Sequence, residues 1–345
     1  EGVSDDADVV TQTASGVQGA FPGQSVSLQV PTILLVLDLP LLADQQNHSG
    51  AYIAAYGLAP YWRGAVVYDS TDSGSSWNRL ATMPRPGSAM GYTTDALGAW
   101  SGGNVFDEAN SVNVTIANGT LASTTRAGVL AGNNAIAILG DDGWEVLQYR
   151  EATLESDGSY TLRGLLRGRR GTEYAMAGHV AGARVVPLTT TNLRDVTIST
   201  SFLGVALPYR AVSVGDTLSG TPSNDATVYG ERLKPFAPVD FRALRDVASG
   251  DITMTWRRRT RLAYRFVAEG ITAPLGEDSE AYTVKVYDSA YTTLKRTIAA
   301  SGSASCTYTS AQQVADFGSN QATVYVRITQ TSAAVGAGHV LEAAA

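Results

Sequence analysis

The chain has 345 residues, 44% of them hydrophobic and 17% charged, with a net charge of −7. That length allows two or three domains and a sizeable core, and the acidic balance excludes a broad basic field for nucleic acid. Cys306 stands alone and His48, His179 and His339 are scattered, so no disulfide framework, metal site or cofactor is expected.

Residues 1–26 are polar and small, with Asp5-Asp6 and Gly16, Gly19 and Gly23. They read as an extended arm or linker in need of a partner surface. The start shows no signal-peptide pattern, and a chain numbered from Glu1 without Met is expected to be a fragment or a processed piece of something longer. The apolar run 31–42 is too short for a membrane span and contains Pro31 and Pro40.

Tyr52, Tyr56, Tyr61, Trp62 and Tyr68 then cluster with Tyr92 and Trp100. Three readings stand open: core packing, contact with a partner or a second copy, and stacking on sugar faces. Tyr56, Tyr61 and Trp62 lie in Gly/Ala/Pro-flanked stretches with weak strand character. They are the candidate glycan or partner contacts, because recognition residues favour loops on a rigid scaffold.

Ser70-Thr71-Asp72-Ser73-Gly74-Ser75-Ser76-Trp77 fits Ser/Thr-x-Asp-x-Gly-x-x-Trp and resembles the Asp-box hairpin. Asp72 is expected to accept turn N–H groups, Gly74 to supply φ > 0 and Trp77 to plug the turn onto its sheet. Sialidase propellers repeat this box, whereas it occurs here once, which favours a structural turn over a glycosidase.

Val112, Val114 and Ile116 alternate with polar residues and end at Asn118-Gly119, predicting a type I′ hairpin. Asp141-Asp142-Gly143 and Asp157-Gly158 are further turn signals, bracketing a strand over 144–154. Asp107, Glu108, Asp141, Asp142 and Glu145 could serve two-acid glycoside hydrolysis. No Gly-x-Ser-x-Gly elbow and no phosphate loop accompanies them, so the chain is not expected to be an enzyme.

Four arginines and three glycines crowd the twelve residues from Leu162 to Glu173. Glycine frees the backbone for positive φ and close approach, and each guanidinium offers a planar fork to carboxylates and carbonyls. Such a run makes either an Arg-stapled β-turn or a basic phosphate site. Strand-like Tyr160, Leu162 and Leu165-Leu166 before it, and Val185-Val186 after it, favour the first. Arg167, Arg169 and Arg170 are then expected to bond carbonyls or acids such as Glu173.

A boundary falls near Pro235-Phe236-Ala237-Pro238. Beyond it Ile252, Met254 and Trp256 share one face, as do Tyr282, Val284 and Val286, and Val324, Val326 and Ile328. About 110 residues with an early-strand Trp resemble a fibronectin type III-like sandwich with Trp256 in its core; another small sandwich stays open. Arg257, Arg258, Arg259 and Arg261 are expected to pair with Glu277, Asp278 and Glu280. No helix of three turns is predicted, only a short turn over 309–315. The fold class is all-β and multi-domain: antiparallel β-sandwich or otherwise β-rich structure over 27–234, a division near 110 being open, and a fibronectin type III-like sandwich over 235–345.

Leu165-Leu166-Arg167-Gly168-Arg169-Arg170-Gly171-Thr172-Glu173, followed by His179-Val180-Ala181-Gly182-Ala183, resembles the distal part of the baseplate hub, or host-specificity tail-tip, protein of long-tailed phages and gene transfer agents. The run 31–42, Gly143-Trp144-Glu145-Val146-Leu147-Gln148, and 255–261 with Pro274-Leu275-Gly276-Glu277 resemble further landmarks of that family in the same order. The likeness covers about residue 27 to the C-terminus. It implies a virion protein of the tail tip, a homotrimer around the tail axis, contacts with other tail proteins and fibres, and contact with a host glycan or outer-membrane receptor. A carbohydrate-binding or glycan-cleaving module is the alternative. No nucleic-acid binding is expected.

Overall fold

The computed structural model describes residues 30–58, 60–189, 191–262 and 273–345; the expected arm over 1–26 lies outside them. The strands of the described residues pair antiparallel throughout and form five sheets. The chain is a multi-domain all-β protein.

The strand Gly50–Gly57 explains the apolar first third. It pairs with Thr32–Leu37 on one side and Arg194–Thr197 on the other. Its alternate residues enter two different cores: Ala51, Ile53 and Ala55 one, Tyr52, Ala54 and Tyr56 the other. Successive strand side chains point oppositely, so a sheet covered on both faces reads as a continuous apolar run. One face packs on a four-stranded sheet of Gly64–Asp69, Asn78–Pro84, Ala206–Ser213 and Asn224–Thr227. The other packs on the next unit, through Met90, Ala137, Trp144, Val146 and Val186.

That unit is a closed barrel. Met90–Thr93, Val112–Ala117, Tyr160–Arg169, Gly143–Leu154, Ala135–Gly140 and Arg184–Pro187 pair in a ring, with Phe106–Asp107 added beside Leu165 and Leu166. Closure removes free sheet edges. Val112, Val114, Ile138, Leu147, Leu162, Leu165 and Val185 fill the interior. The barrel is an insertion: chain on either side of it pairs together in the flanking sheets. The structure therefore does not divide near 110, because strands 106–107 and 112–117 belong to one barrel.

The turns at Asp141-Asp142-Gly143 and Asp157-Gly158 form as expected, joining consecutive barrel strands. The hairpin at Asn118-Gly119 does not. Val112–Ala117 pairs with strands from elsewhere in the chain. Asn118 is left-handed (φ 59°), but its side-chain amide donates to Pro86 O at 2.6 Å, turning the chain toward a short helix, Arg126–Leu130.

The C-terminal part is a seven-stranded sandwich. Val239–Arg245, Ile252–Arg257 and Ser305–Tyr308 form one sheet; Leu294–Ser301, Ala281–Tyr287, Tyr325–Ser332 and Gly336–Ala344 form the other, in those spatial orders. Three strands over four, antiparallel throughout, is a fibronectin III-like arrangement. The three predicted alternating faces all point inward, with Met254, Val284, Val286, Val326 and Ile328 fully buried. Trp256 is 4% exposed and meets Tyr282 edge-to-face, centroids 5.1 Å apart. The segment over 309–315 is a two-turn helix, Ser310–Phe317, entered through a capping box between Thr309 and Gln312.

Candidate functional site

The arginine-glycine run holds the barrel together from inside. Arg167 grips Glu145 bidentately, Nε to Oε1 at 2.6 Å and Nη2 to Oε2 at 2.7 Å. It also donates to Asp107 Oδ2 (3.4 Å) and to the carbonyls of Gly98 (3.0 Å) and Met176 (3.1 Å). The Glu145 carboxylate further meets His179 Nε2 at 2.7 Å and accepts from Gly168 N at 2.9 Å. The side chains of Arg167, Glu145, Asp107 and His179 are all shut off from solvent. A charge-assisted bidentate pair with its remaining donors satisfied is the form in which a guanidinium tolerates burial.

Two glycines in the run are dictated by their surroundings. Gly168 has φ 58° at the bulge where pairing shifts between Leu166 and Arg169, and this lets its N–H turn toward Glu145. At Gly171 a Cβ would stand 2.2 Å from the Phe236 ring. The barrel and the linker to the sandwich touch there.

Arg167 bonds carbonyls and an acid, as the sequence leads one to expect, but the acid is Glu145 and not Glu173. Glu173 instead accepts from Arg259 of the sandwich at 2.7 Å. Arg170 donates to Leu41 O at 2.7 Å, and Arg169 to Gln148 and Asn104. The stapling thus has three directions: Arg167 inward, Arg169 across the barrel wall, Arg170 to the entry segment. Glu145, Asp107 and His179 escaped sequence reasoning as a set. One signal was legible: Glu145 is a lone acid within the apolar run Trp144–Tyr149, and once buried such an acid needs a cation beside it.

The junction near 235 is pinned by charge. Glu231 meets His339 at 2.9 Å, pairs with Lys234, and accepts from Tyr174 OH at 3.2 Å, while the Tyr174 and His339 rings stack at 4.2 Å. Burial would raise the Glu231 carboxyl, but His339 and Lys234 outweigh it and hold it down to about 2. Arg258 pairs with Glu280 and Arg261 with Glu277, both at 2.8 Å, as expected; Arg257 pairs instead with Asp240 at 3.0 Å.

The Asp-box folds locally. Gly74 N donates to Ser70 Oγ at 2.8 Å, and Ser76 N and Oγ donate to Asp72 at 2.8 and 2.6 Å. These bonds, that from Ser76 Oγ first, hold the Asp72 carboxyl down to about 2. Trp77 lies under the Arg210 guanidinium, 4.2 Å away. The arrangement is a self-satisfied turn between strands Gly64–Asp69 and Asn78–Pro84.

Of the three proposed contact aromatics, the structure separates one from two. Trp62 is core: it is 4% exposed and its Nε1 donates to Thr32 Oγ1 at 2.8 Å. Tyr56 is half-buried against the core shared with the barrel. Tyr61 is 76% exposed, and Leu58 in the same loop 60%. Sequence could not separate them because the loop is short enough for neighbouring rings to point opposite ways.

Residues 88–186 match the family model described as Rcc01698-like, C-terminal. Those bounds fall on the inserted barrel with its arginine-glycine run. No curated protein matches. Among solved structures, the chain is similar to the FN1–FN3 domains of chicken CNTN1 at 9% identity, over 91% of this chain and 98% of that one, with a TM-score of 0.23. So faint a likeness adds nothing to the fold read from the strands.

Proposed function

We propose that this chain is a structural component of a phage or gene-transfer-agent tail tip or baseplate, where it extends the central hub and contributes to host attachment. The observation that carries this reading is the match of the barrel, residues 88–186, to a family whose name is associated with gene transfer agents. It covers the landmarks of the hub resemblance at 143–148, 165–173 and 179–183, while those at 31–42, 255–261 and 274–277 lie outside it. The architecture suits a part that bears load. A closed barrel is inserted into a sandwich, and a second sandwich is fastened to it by Arg259–Glu173 and Glu231–His339. In this reading the chain works without catalysis, as a homotrimer joined to other tail proteins. Host contact falls to the loop bearing Leu58 and Tyr61, which meets a surface glycan or outer-membrane receptor.

Mass in solution, combined with incubation on host polysaccharide, tests the reading. A particle near three times the 36.2 kDa chain, with no oligosaccharide released, is the expected outcome. A monomer that releases glycan fragments would overturn it and establish the glycan-cleaving alternative.

A further inference from the structure

The C-terminal sandwich closes a core of its own, built from residues beyond 240. Two groups of polar contacts join it to the rest of the chain. Arg259 and Arg261 form one: Arg259 pairs with Glu173 at 2.7 Å, and Arg261 Nη1 donates to Asn47 Oδ1 at 2.5 Å. His339, on strand Gly336–Ala344, is the centre of the other. Its Nε2 meets the Glu231 carboxylate at 2.9 Å, its ring stacks on Tyr174 of the barrel at 4.2 Å, and its backbone N–H donates to Pro235 O at 2.9 Å. Asp38 of the entry segment, Asp142 of a barrel turn and Lys234 of the linker are the other charges that face this point.

The two groups respond differently to protons. A guanidinium keeps its charge at every accessible pH, so Arg259 and Arg261 hold throughout. Imidazole is the side chain that changes charge between about pH 5 and 8. Only the protonated ring gives Glu231 a charge-assisted bond and lays a cation on the face of Tyr174. Burial would raise the Glu231 carboxyl, but His339 and Lys234 hold it down to about 2, so it stays ionised across that whole range. Asp38, pushed up to about 6 by burial, sheds its charge as pH falls. That weakens the local negative field but leaves the carboxylate in contact with His339 intact.

We propose that His339 is a proton-controlled latch between the sandwich and the rest of the chain. Protonated, it closes strand Gly336–Ala344 onto Glu231 and Tyr174; neutral, it lets that side of the sandwich rock away about the fixed contacts of Arg259 and Arg261. The latch rests on the junction alone and not on the tail-tip reading.

Hydrogen exchange of the residue-339 backbone amide tests the latch, because that N–H is bonded to Pro235 O across the junction. It is read by NMR on the intact protein and corrected for the intrinsic effect of pH. Protection should fall about tenfold between about pH 5.5 and about pH 8.5, while that of Val284 and Val286 in the sandwich core stays level. His339→Gln should show the low protection at both pH values. His339→Arg keeps a planar cation suited to stacking on an aromatic ring and should show the high protection at both. Protected core amides at Val284 and Val286 establish that each variant is folded. Wild-type protection that does not change with pH, a His339→Gln protein as responsive as the wild type, or a His339→Arg protein as loose as His339→Gln would each overturn the proposal.

Discussion

Arg167→Ala is the most informative single change in the barrel. It removes both bonds to Glu145, the contact with Asp107 and the donors that satisfy Gly98 O and Met176 O. Glu145 would keep only His179 and Gly168 N as partners in a site closed to water. Breaking a buried ion pair from one side costs about 3–5 kcal/mol, a large part of the 5–15 kcal/mol typical of a whole domain. For a barrel of roughly 100 residues each kcal/mol moves Tm by about 4–8 °C, so the loss should exceed about 10 °C. Hydrogen exchange read by mass spectrometry localises the effect. Amides of Gly143–Leu154 and Tyr160–Arg169 should lose protection, while those of the C-terminal sandwich change far less. Pairing the change with Glu145→Ala in a double-mutant cycle should show strongly non-additive losses. If Arg167→Ala kept the wild-type Tm and barrel protection, the cluster would not be what holds the run in place.

Trp62→Ala should cost about 3–5 kcal/mol as a core truncation, seen as a lower urea midpoint. Tyr61→Ala one residue earlier should stay within about 0.5 kcal/mol yet reduce particle adsorption to cells. Trp256→Ala should destabilise the C-terminal sandwich by about 3–5 kcal/mol, with exchange protection lost first in Ile252–Arg257 and Ala281–Tyr287. Burial pushes the Asp38 carboxyl up from 3.8 to about 6, against N–H bonds from Tyr229 and Glu231 that favour its charge. The folded state therefore holds the extra proton across that window, and this group's contribution to stability falls as pH rises from about 4 to 6. Asp38→Asn should remove that downward slope in denaturation curves taken across the range. Glu231 acts oppositely: held down to about 2, it contributes stability above about pH 4.5 that is lost as pH falls toward 2, and Glu231→Gln should abolish that acid-side loss.

Local pattern carried well where one physical cause acted alone. Alternation in 252–256, 282–286 and 324–328 placed its nine side chains in the core of the sandwich, because a two-sheet core demands a period of two. Gly-containing turns at 141–143 and 157–158 were legible for the same reason. Asn118-Gly119 misled because a left-handed residue serves any reversal, and here side-chain bonding to Pro86 O redirected the chain. The inserted barrel was not legible, since its closure joins strands far apart in sequence, and pairing across such distances leaves no local mark. The arginine-glycine run announced a buried staple but not its partners. The choice of Glu145 over Glu173 depends on which strand lies beside Arg167 in the barrel, not on proximity along the chain. Trp62 and Tyr61 have equivalent flanks, and only the cores on either side of Gly50–Gly57 decide which ring is covered.

The central claim is that the chain sits at the tip of a tail. Gold-labelled antibody raised against the exposed Leu58–Tyr61 loop, applied to intact particles and viewed by electron microscopy, tests it most directly. The account predicts gold confined to the distal end of the tail, with labelling reducing adsorption to cells. Gold on the capsid or along the tail shaft, or particles that carry none of this chain, would contradict it.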